Sequence, residues 1–203
     1  MIMPTLYSPS ARALQDRFDS RRLADRLEKV KVHDSITVDD RAFIEQQDMC
    51  FMATVDPQGQ PTCSYKGGAP GFVVVLDEHT LAMPNYDGNG MYLSMGNVEA
   101  TERVGLLFID FVAQRRIRVE GAAELRHDDA LLRRYPGAQF MLYLHVERVY
   151  PNCGRYIHQM ARVEPSAFVP DEHGAAPVPG WKRTDWARDV LPAPTTPPRA
   201  EDR

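Results

Sequence analysis

The sequence predicts an α+β protein: an all-β antiparallel core with helices on its flanks. Three observations carry this. About seven short apolar or alternating runs recur at spacings near ten residues, with turn residues between them. No βαβ alternation is present, so the parallel sheet of a doubly wound fold is not expected. The first thirty-odd residues, by contrast, carry a helical period.

That opening stretch repeats Leu14, Phe18, Leu23, Leu27 and Val30 at steps of three to five between Arg, Asp and Glu. It reads as one amphipathic helix whose apolar stripe packs on the core. A short second helix follows, with Thr37 as N-cap, Asp39 and Asp40 in the first turn, and Phe43 and Ile44 facing inward. MCFMATV (49–55) is the first strand. It ends in Asp56-Pro57-Gln58-Gly59, a turn signature, because Pro presets φ and Gly accepts φ > 0. PTCSYK (61–66) completes a hairpin. GFVVVL (71–76) turns through Asp77-Glu78-His79 into TLAMP (80–84). VGLLFIDF (104–111), RRIRVEGAAEL (115–125) and FMLYLHVERVY (140–150) follow, the last two alternating between faces. MYLSMGN (91–97) has the makings of a helix start. The expected organisation is a helical extension over 1–36, a barrel domain over 37–168 and a Pro-rich tail over 169–203. PAPTTPP (192–198) cannot build a packed core. Trp181 and Trp186 are the exceptions in that tail and are expected to dock, on this chain or on a partner.

Composition narrows the function. With 24 Lys+Arg against 28 Asp+Glu, the net charge of −4 gives no electrostatic reason to bind nucleic acid. No apolar run reaches the roughly 18 residues of a membrane-spanning helix, and the N-terminus lacks a signal-peptide pattern, so a cytoplasmic location is expected. Cys50, Cys63 and Cys153 form no CxxC pair and are read as buried thiols. Six scattered histidines form no metal motif, and Cys153 with His145 and His158 would be a poor zinc set; no metal is expected.

Two stretches are unusual for plain structure. SYKGGAPGF (64–72) sets a lysine at a strand end before Gly67, Gly68 and Gly71. Such glycines let backbone approach a flat or anionic ligand, or form a sharp barrel corner. PNYDGNGMYLSMGN (84–97) places a Gly-rich turn before a helix start, which is either an anion site or an Asp-Gly hairpin. Arg116 and Arg118 share one strand face, as a solvated surface or as guanidinium donors to a ligand. Neither a nucleophile elbow nor a dinucleotide fingerprint is present.

In this order, SYKGG, PNYDGNG, NVEATERVGLLFIDF and RRIRVEG resemble the flavin-binding split-barrel superfamily typified by pyridoxamine 5'-phosphate oxidase. The likeness runs from residue 43 to 121 and continues through VERVYPNCGRYIHQM (146–160). It implies a six-stranded antiparallel split barrel, a homodimer, and FMN in the cleft between the subunits. By position, Cys63, Ser64, Tyr65 and Lys66 would line the flavin and its ribityl chain. Met83 and Pro84 would contact the ring, and Asn89 and Gly90 would stand where the family carries a basic pair for the phosphate. That pair is missing here, which shifts the phosphate onto Asn89, backbone amides and Lys66. Arg116 replaces a family glutamine and would reach the flavin from the dimer interface, at its N1–O2 edge. LLRRYPGAQF (131–140) does not match the Tyr, Arg and Ser motif that holds the vitamin's phosphate, and the tail lacks Arg-x-His. The resemblance therefore implies FMN binding without vitamin B6 oxidation.

Three functions follow. The first is an FMN-dependent oxidoreductase acting on a small molecule, with an electron donor such as NAD(P)H and with Tyr65, Tyr86 and His158 as the candidate proton-transfer groups. The second is a non-catalytic carrier or sensor of flavin, deazaflavin or haem on the same fold. The third is an interaction protein without a ligand.

Overall fold

Residues 5–192 are described by the computed structural model of the chain. All seven strand-like runs become strands: β1 (Met49–Val55), β2 (Pro61–Gly67), β3 (Val74–Asp77), β4 (Thr80–Tyr86), β5 (Arg103–Asp110), β6 (Arg115–Arg126) and β7 (Ala138–Pro151). They form one antiparallel sheet in the order β2-β1-β5-β6-β7-β4-β3. This agrees with the split-barrel class, but with seven strands in place of six. The extra one, β3, is a four-residue edge strand paired only with β4. The sheet does not close: β2 and β3 are its two edges.

Local chemistry explains each turn. Asp56 accepts from the N–H of Gln58 and of Gln60, and Gly59 takes φ 85°, so the β1–β2 hairpin forms as its sequence requires. Gly121 sits at a register shift between β6 and β7. A Cβ there would lie 1.9 Å from the carbonyl oxygen of His145, so only glycine permits the close strand approach.

Four helices accompany the sheet: α1 (Pro9–Arg17), α2 (Arg21–Lys31), α3 (Val38–Glu45) and α4 (Leu93–Thr101). The N-terminal stretch is two helices, not one. Asp19 adopts φ 49° between them and breaks the run. Its apolar stripe also departs from expectation. Leu14, Phe18, Leu23, Leu27 and Val30 are all exposed, and Ala24 is the one residue of α1 and α2 that is buried. Polar contacts join the pair: Arg12 bridges Asp25 and Glu28, and the Tyr7 hydroxyl donates to the carbonyl of Ala24. Helix α3 forms as predicted. Thr37 and Asp40 complete a reciprocal capping box, and Phe43 and Ile44 are buried.

The main core lies between the rolled sheet, α3 and α4, and includes Met52, Leu81, Met83, Val98, Leu106 and Phe108. A smaller cluster of Val74, Ala82, Tyr135, Met141 and Tyr143 lies on the other side of β4 and β7. No helix among the described residues is long and apolar enough to cross a membrane. Most of PAPTTPP lies outside the described residues. Trp181 and Trp186 stack on each other, with centroids 5.9 Å apart and planes 14° apart, and Trp186 remains exposed.

Candidate functional site

The inward face of the β1–β2 hairpin joins buried core side chains on β1 to polar ones on β2. Cys50, Met52 and Thr54 stand opposite Lys66, Ser64 and Thr62. Helix α4 covers this face and satisfies it. The Ser64 and Ser94 hydroxyls lie 2.9 Å apart, and Asn97 donates to the Thr54 hydroxyl at 3.1 Å. Thr101 donates to the carbonyl of Val55. Met95 and Val98 anchor α4 in the core, and the hydroxyls and carboxamide fix its orientation against β2.

This places the first turn of α4 beside Ser64. Tyr92, the residue before α4, has φ 49° and provides no side-chain cap. The leading N–H groups therefore keep the partial positive charge of a helix start. Lys66 lies two residues beyond Ser64 on the same strand face, half-buried. Burial pulls its ammonium pKa below the usual lysine range, and proximity to Cys50 opposes that shift. Burial in turn pushes the Cys50 thiol up to about 12.

The other sequence candidates are distributed as follows. Cys63 and Tyr65 alternate onto the outer sheet face and are exposed, with Tyr65 edge-on to Phe51. Met83 is packed in the core, and Pro84 is buried beside it on β4. Asn89 and Gly90 sit in an exposed loop, where the Asn89 side-chain oxygen accepts from the N–H of Met91. Gly90 takes φ 75°, which a side chain would strain. Arg116 stands on the outer face near the start of β6, opposite Ile109, and its buried Nε has no hydrogen-bond partner among the described residues. Its strand runs about ten residues, on the order of 30 Å, to Arg126, beside the part of β7 that pairs the end of β4. Across β5 and β1 the register sets Arg116 level with Met49 and Gly67, next to the Lys66 row, but on the outer face of the sheet, whereas Ser64 and Lys66 face inward.

Tyr86 is half-buried, and burial raises its phenol pKa, so it stays protonated at neutral pH. His158 is exposed. The thiols differ from expectation: Cys50 is buried, but Cys63 and Cys153 are exposed. Residue 153 lies past the end of β7, where the backbone N–H and the side-chain Nε of Arg155 donate to its sulfur and lower its pKa. Among the described residues, no group of three His, Cys, Asp or Glu is placed to hold a metal.

Four participants escaped the sequence reading. Ser94 and Asn97 lie inside a segment whose helical start was visible but whose facing strand was not. Gln139 accepts from both Asn85 and the Tyr92 hydroxyl, each at 3.0 Å. Lys182, from the tail, forms an ion pair with Asp87 in the Gly-rich loop. It brings a cation to the loop that lacks a basic pair of its own, and no local signal announced it.

A family model, described as Pyridoxamine 5'-phosphate oxidase, matches residues 37–153. No curated protein matches the chain. Among solved structures, a putative pyridoxamine 5'-phosphate oxidase from Lactobacillus delbrueckii is 24% identical, covering 60% of this chain and 99% of its own, with a TM-score of 0.47. HupZ from Group A Streptococcus is 21% identical over 62% of this chain and 99% of its own, TM-score 0.47. HutZ, the heme storage protein from Vibrio cholerae, is 17% identical over 57% and 93%, TM-score 0.40.

Proposed function

This chain belongs to the pyridoxamine 5'-phosphate oxidase family, and we propose that it is an FMN-binding oxidoreductase that works as a cytoplasmic homodimer. The observation that carries the reading is the junction of β2 and α4. There the Ser64 and Ser94 hydroxyls meet at the uncapped first turn of α4, and half-buried Lys66 follows two residues along the same face of β2. Hydroxyls, helix-start amides and one ammonium are the donor set a phosphate monoester requires. Asn89 and Gly90 lie just before that turn, with the Asn89 amide nitrogen left to donate once its oxygen is held by Met91.

Arg116 supports the dimer. A buried guanidinium nitrogen without an acceptor is costly. Its place on the outer face of the sheet, opposite the inward-facing Ser64 and Lys66, fits a flavin contributed by a second subunit better than one held within a single chain. Arg116 would then donate to the electron-rich N1–O2 edge of the ring, while Cys63 and Tyr65 line it from the outer face of β2. Met83 and Pro84, both buried on β4, would stand behind the ligand.

Bound FMN supplies hydride and single-electron transfer; the chain positions the ring and sets its charge environment. Tyr86 is held protonated, so it can serve as a proton donor. The 131–140 segment forms a 3-10 turn and an entry to β7, without the Tyr, Arg and Ser set for a vitamin phosphate. Pyridoxamine 5'-phosphate is therefore not the proposed substrate. The electron donor is assigned to the NAD(P)H class. Three unpaired thiols fit a reducing compartment.

The test is an absorption spectrum of the protein purified without added cofactor, with identification of what heat releases and a solution mass. Oxidised-flavin bands, release of FMN, a dimer mass and bleaching by NADPH support the reading. A flavin that neither NADH nor NADPH bleaches makes the chain a carrier. A Soret band assigns haem instead, and a colourless chain that takes up no FMN overturns the cofactor.

A further inference from the structure

A cleft of 820 Å³ opens between α4, the end of β6 and the start of β7. It faces the side of α4 turned away from β2, so none of the candidate flavin contacts lines it. Its wall is aromatic. The Phe140 ring lies 6.3 Å from that of Tyr92, tilted by 33°, and 5.0 Å from the imidazole of His127. Gln139 supplies the fixed polar group. Asn85 and Tyr92 both donate to its oxygen, which pins the carboxamide and leaves its amide nitrogen to donate outward.

Two further features set what the cleft can accept. Gly96 lies in the middle of α4 and lines the cleft, and a Cβ built there would meet no protein atom within 4 Å. Glycine inside a helix is destabilising relative to alanine. Gly96 is exposed, so its missing side chain leaves this part of the cleft wall open. Charge supplies the second feature. Glu99 lines the cleft one turn along α4, and no Lys or Arg lines it. A phosphate or carboxylate ligand would meet a carboxylate and find no cation.

We propose that this cleft binds a planar aromatic ring that is neutral or cationic, stacked against Phe140 and Tyr92 and hydrogen-bonded by Gln139. A flat ring fits offset stacking on tilted aromatics, and a cation is favoured by both Glu99 and the ring faces. The site is independent of the flavin reading. It assigns to the chain a ligand class opposite in charge to a vitamin phosphate.

The experiment measures binding of N-methylquinolinium and quinoline-6-carboxylate to the full chain by calorimetry, with FMN uptake measured in parallel. The cation is expected to bind about tenfold tighter than the anion, as one rim carboxylate acting on both signs would produce. Glu99→Lys should remove or invert that preference without altering the thermal midpoint. Gly96→Leu should abolish binding of both probes while leaving FMN uptake unchanged. Equal or tighter binding of the anion, binding unaffected by both variants, or no binding of either probe at millimolar concentration overturns the proposal. Loss of FMN uptake in Gly96→Leu or Glu99→Lys also overturns it, because the cleft would then be part of the flavin site.

Discussion

The hydroxyls of Ser64 and Ser94 lie 2.9 Å apart and join the edge strand β2 to the first turn of α4. Ser94 is buried, so its hydroxyl has no water to replace a lost partner. The pair thus holds the helix start that the candidate phosphate site depends on.

Removing one member should cost stability and ligand together. Ser94→Ala leaves Ser64 unpaired and is expected to lower unfolding free energy by about 1 kcal/mol. FMN affinity should fall with it, and Ser94→Thr should recover part of both. Denaturant unfolding and FMN titration of the same preparations check this. FMN affinity unchanged in Ser94→Ala would remove the junction from the site.

Lys66 gives a pH dependence of definite sign. Burial lowers its pKa in the folded chain relative to the unfolded one. The charged ammonium therefore opposes folding below its folded pKa. That penalty disappears as pH rises from the lowered value toward the ordinary lysine range. Without ligand, Lys66→Met should be more stable than the parent at neutral pH, and the difference should shrink in alkaline solution. FMN uptake should move oppositely: the parent should lose affinity as Lys66 deprotonates, and Lys66→Met should be weak at every pH. Thermal melts and flavin titrations from neutral to strongly alkaline pH separate the two effects.

Lys182 reaches Asp87 across 95 residues of sequence and ties the tail to the Gly-rich loop. The carboxylate is largely exposed, so the pair should contribute less than about 1 kcal/mol to global stability. Its local effect should be larger. Lys182→Ala should free the segment carrying Trp181 and Trp186 and reduce the near-ultraviolet circular dichroism of their stacked rings. The FMN affinity of this variant should also fall, because the loop would then carry an uncompensated negative charge. A spectrum identical to the parent would show that the tail docks through other contacts.

The exposed stripe on α1 and α2 predicts tolerance where core packing would predict collapse. Phe18→Ser and Leu23→Ser should each change the unfolding free energy of the subunit by no more than about 0.5 kcal/mol, as for other surface positions. A buried leucine truncated in the same way would cost several times more. Urea denaturation of both variants decides between the two.

Much of the fold was legible locally. The seven strand runs, the Asp56–Gly59 turn and the Thr37 N-cap all rest on interactions within a few residues. These are stereochemistry, hydrogen bonds to nearby N–H groups and the two-residue period of a strand. The candidate site was legible as two Gly-rich segments, because glycine signals close approach wherever it occurs. The errors have equally physical causes. A helical period specifies that a stripe is apolar, but not that any surface covers it. It also runs unbroken through Asp19, whose left-handed conformation only the folded chain displays. An isolated cysteine carries no local signal of its burial, which is why exposed Cys63 and Cys153 were misread.

By itself the sequence determined which segments are helices and strands, where most of them turn, and where backbone comes close to something. The tertiary structure alone decided which side chains share a site. Ser64 meets Ser94, Gln139 meets Asn85, and Lys182 meets Asp87 only after β4 has paired with β7 and α4 has crossed the β1–β2 hairpin. Those meetings are set by sheet order and chain closure over dozens of residues. No local propensity encodes them, because each depends on the packing of elements that are remote in sequence.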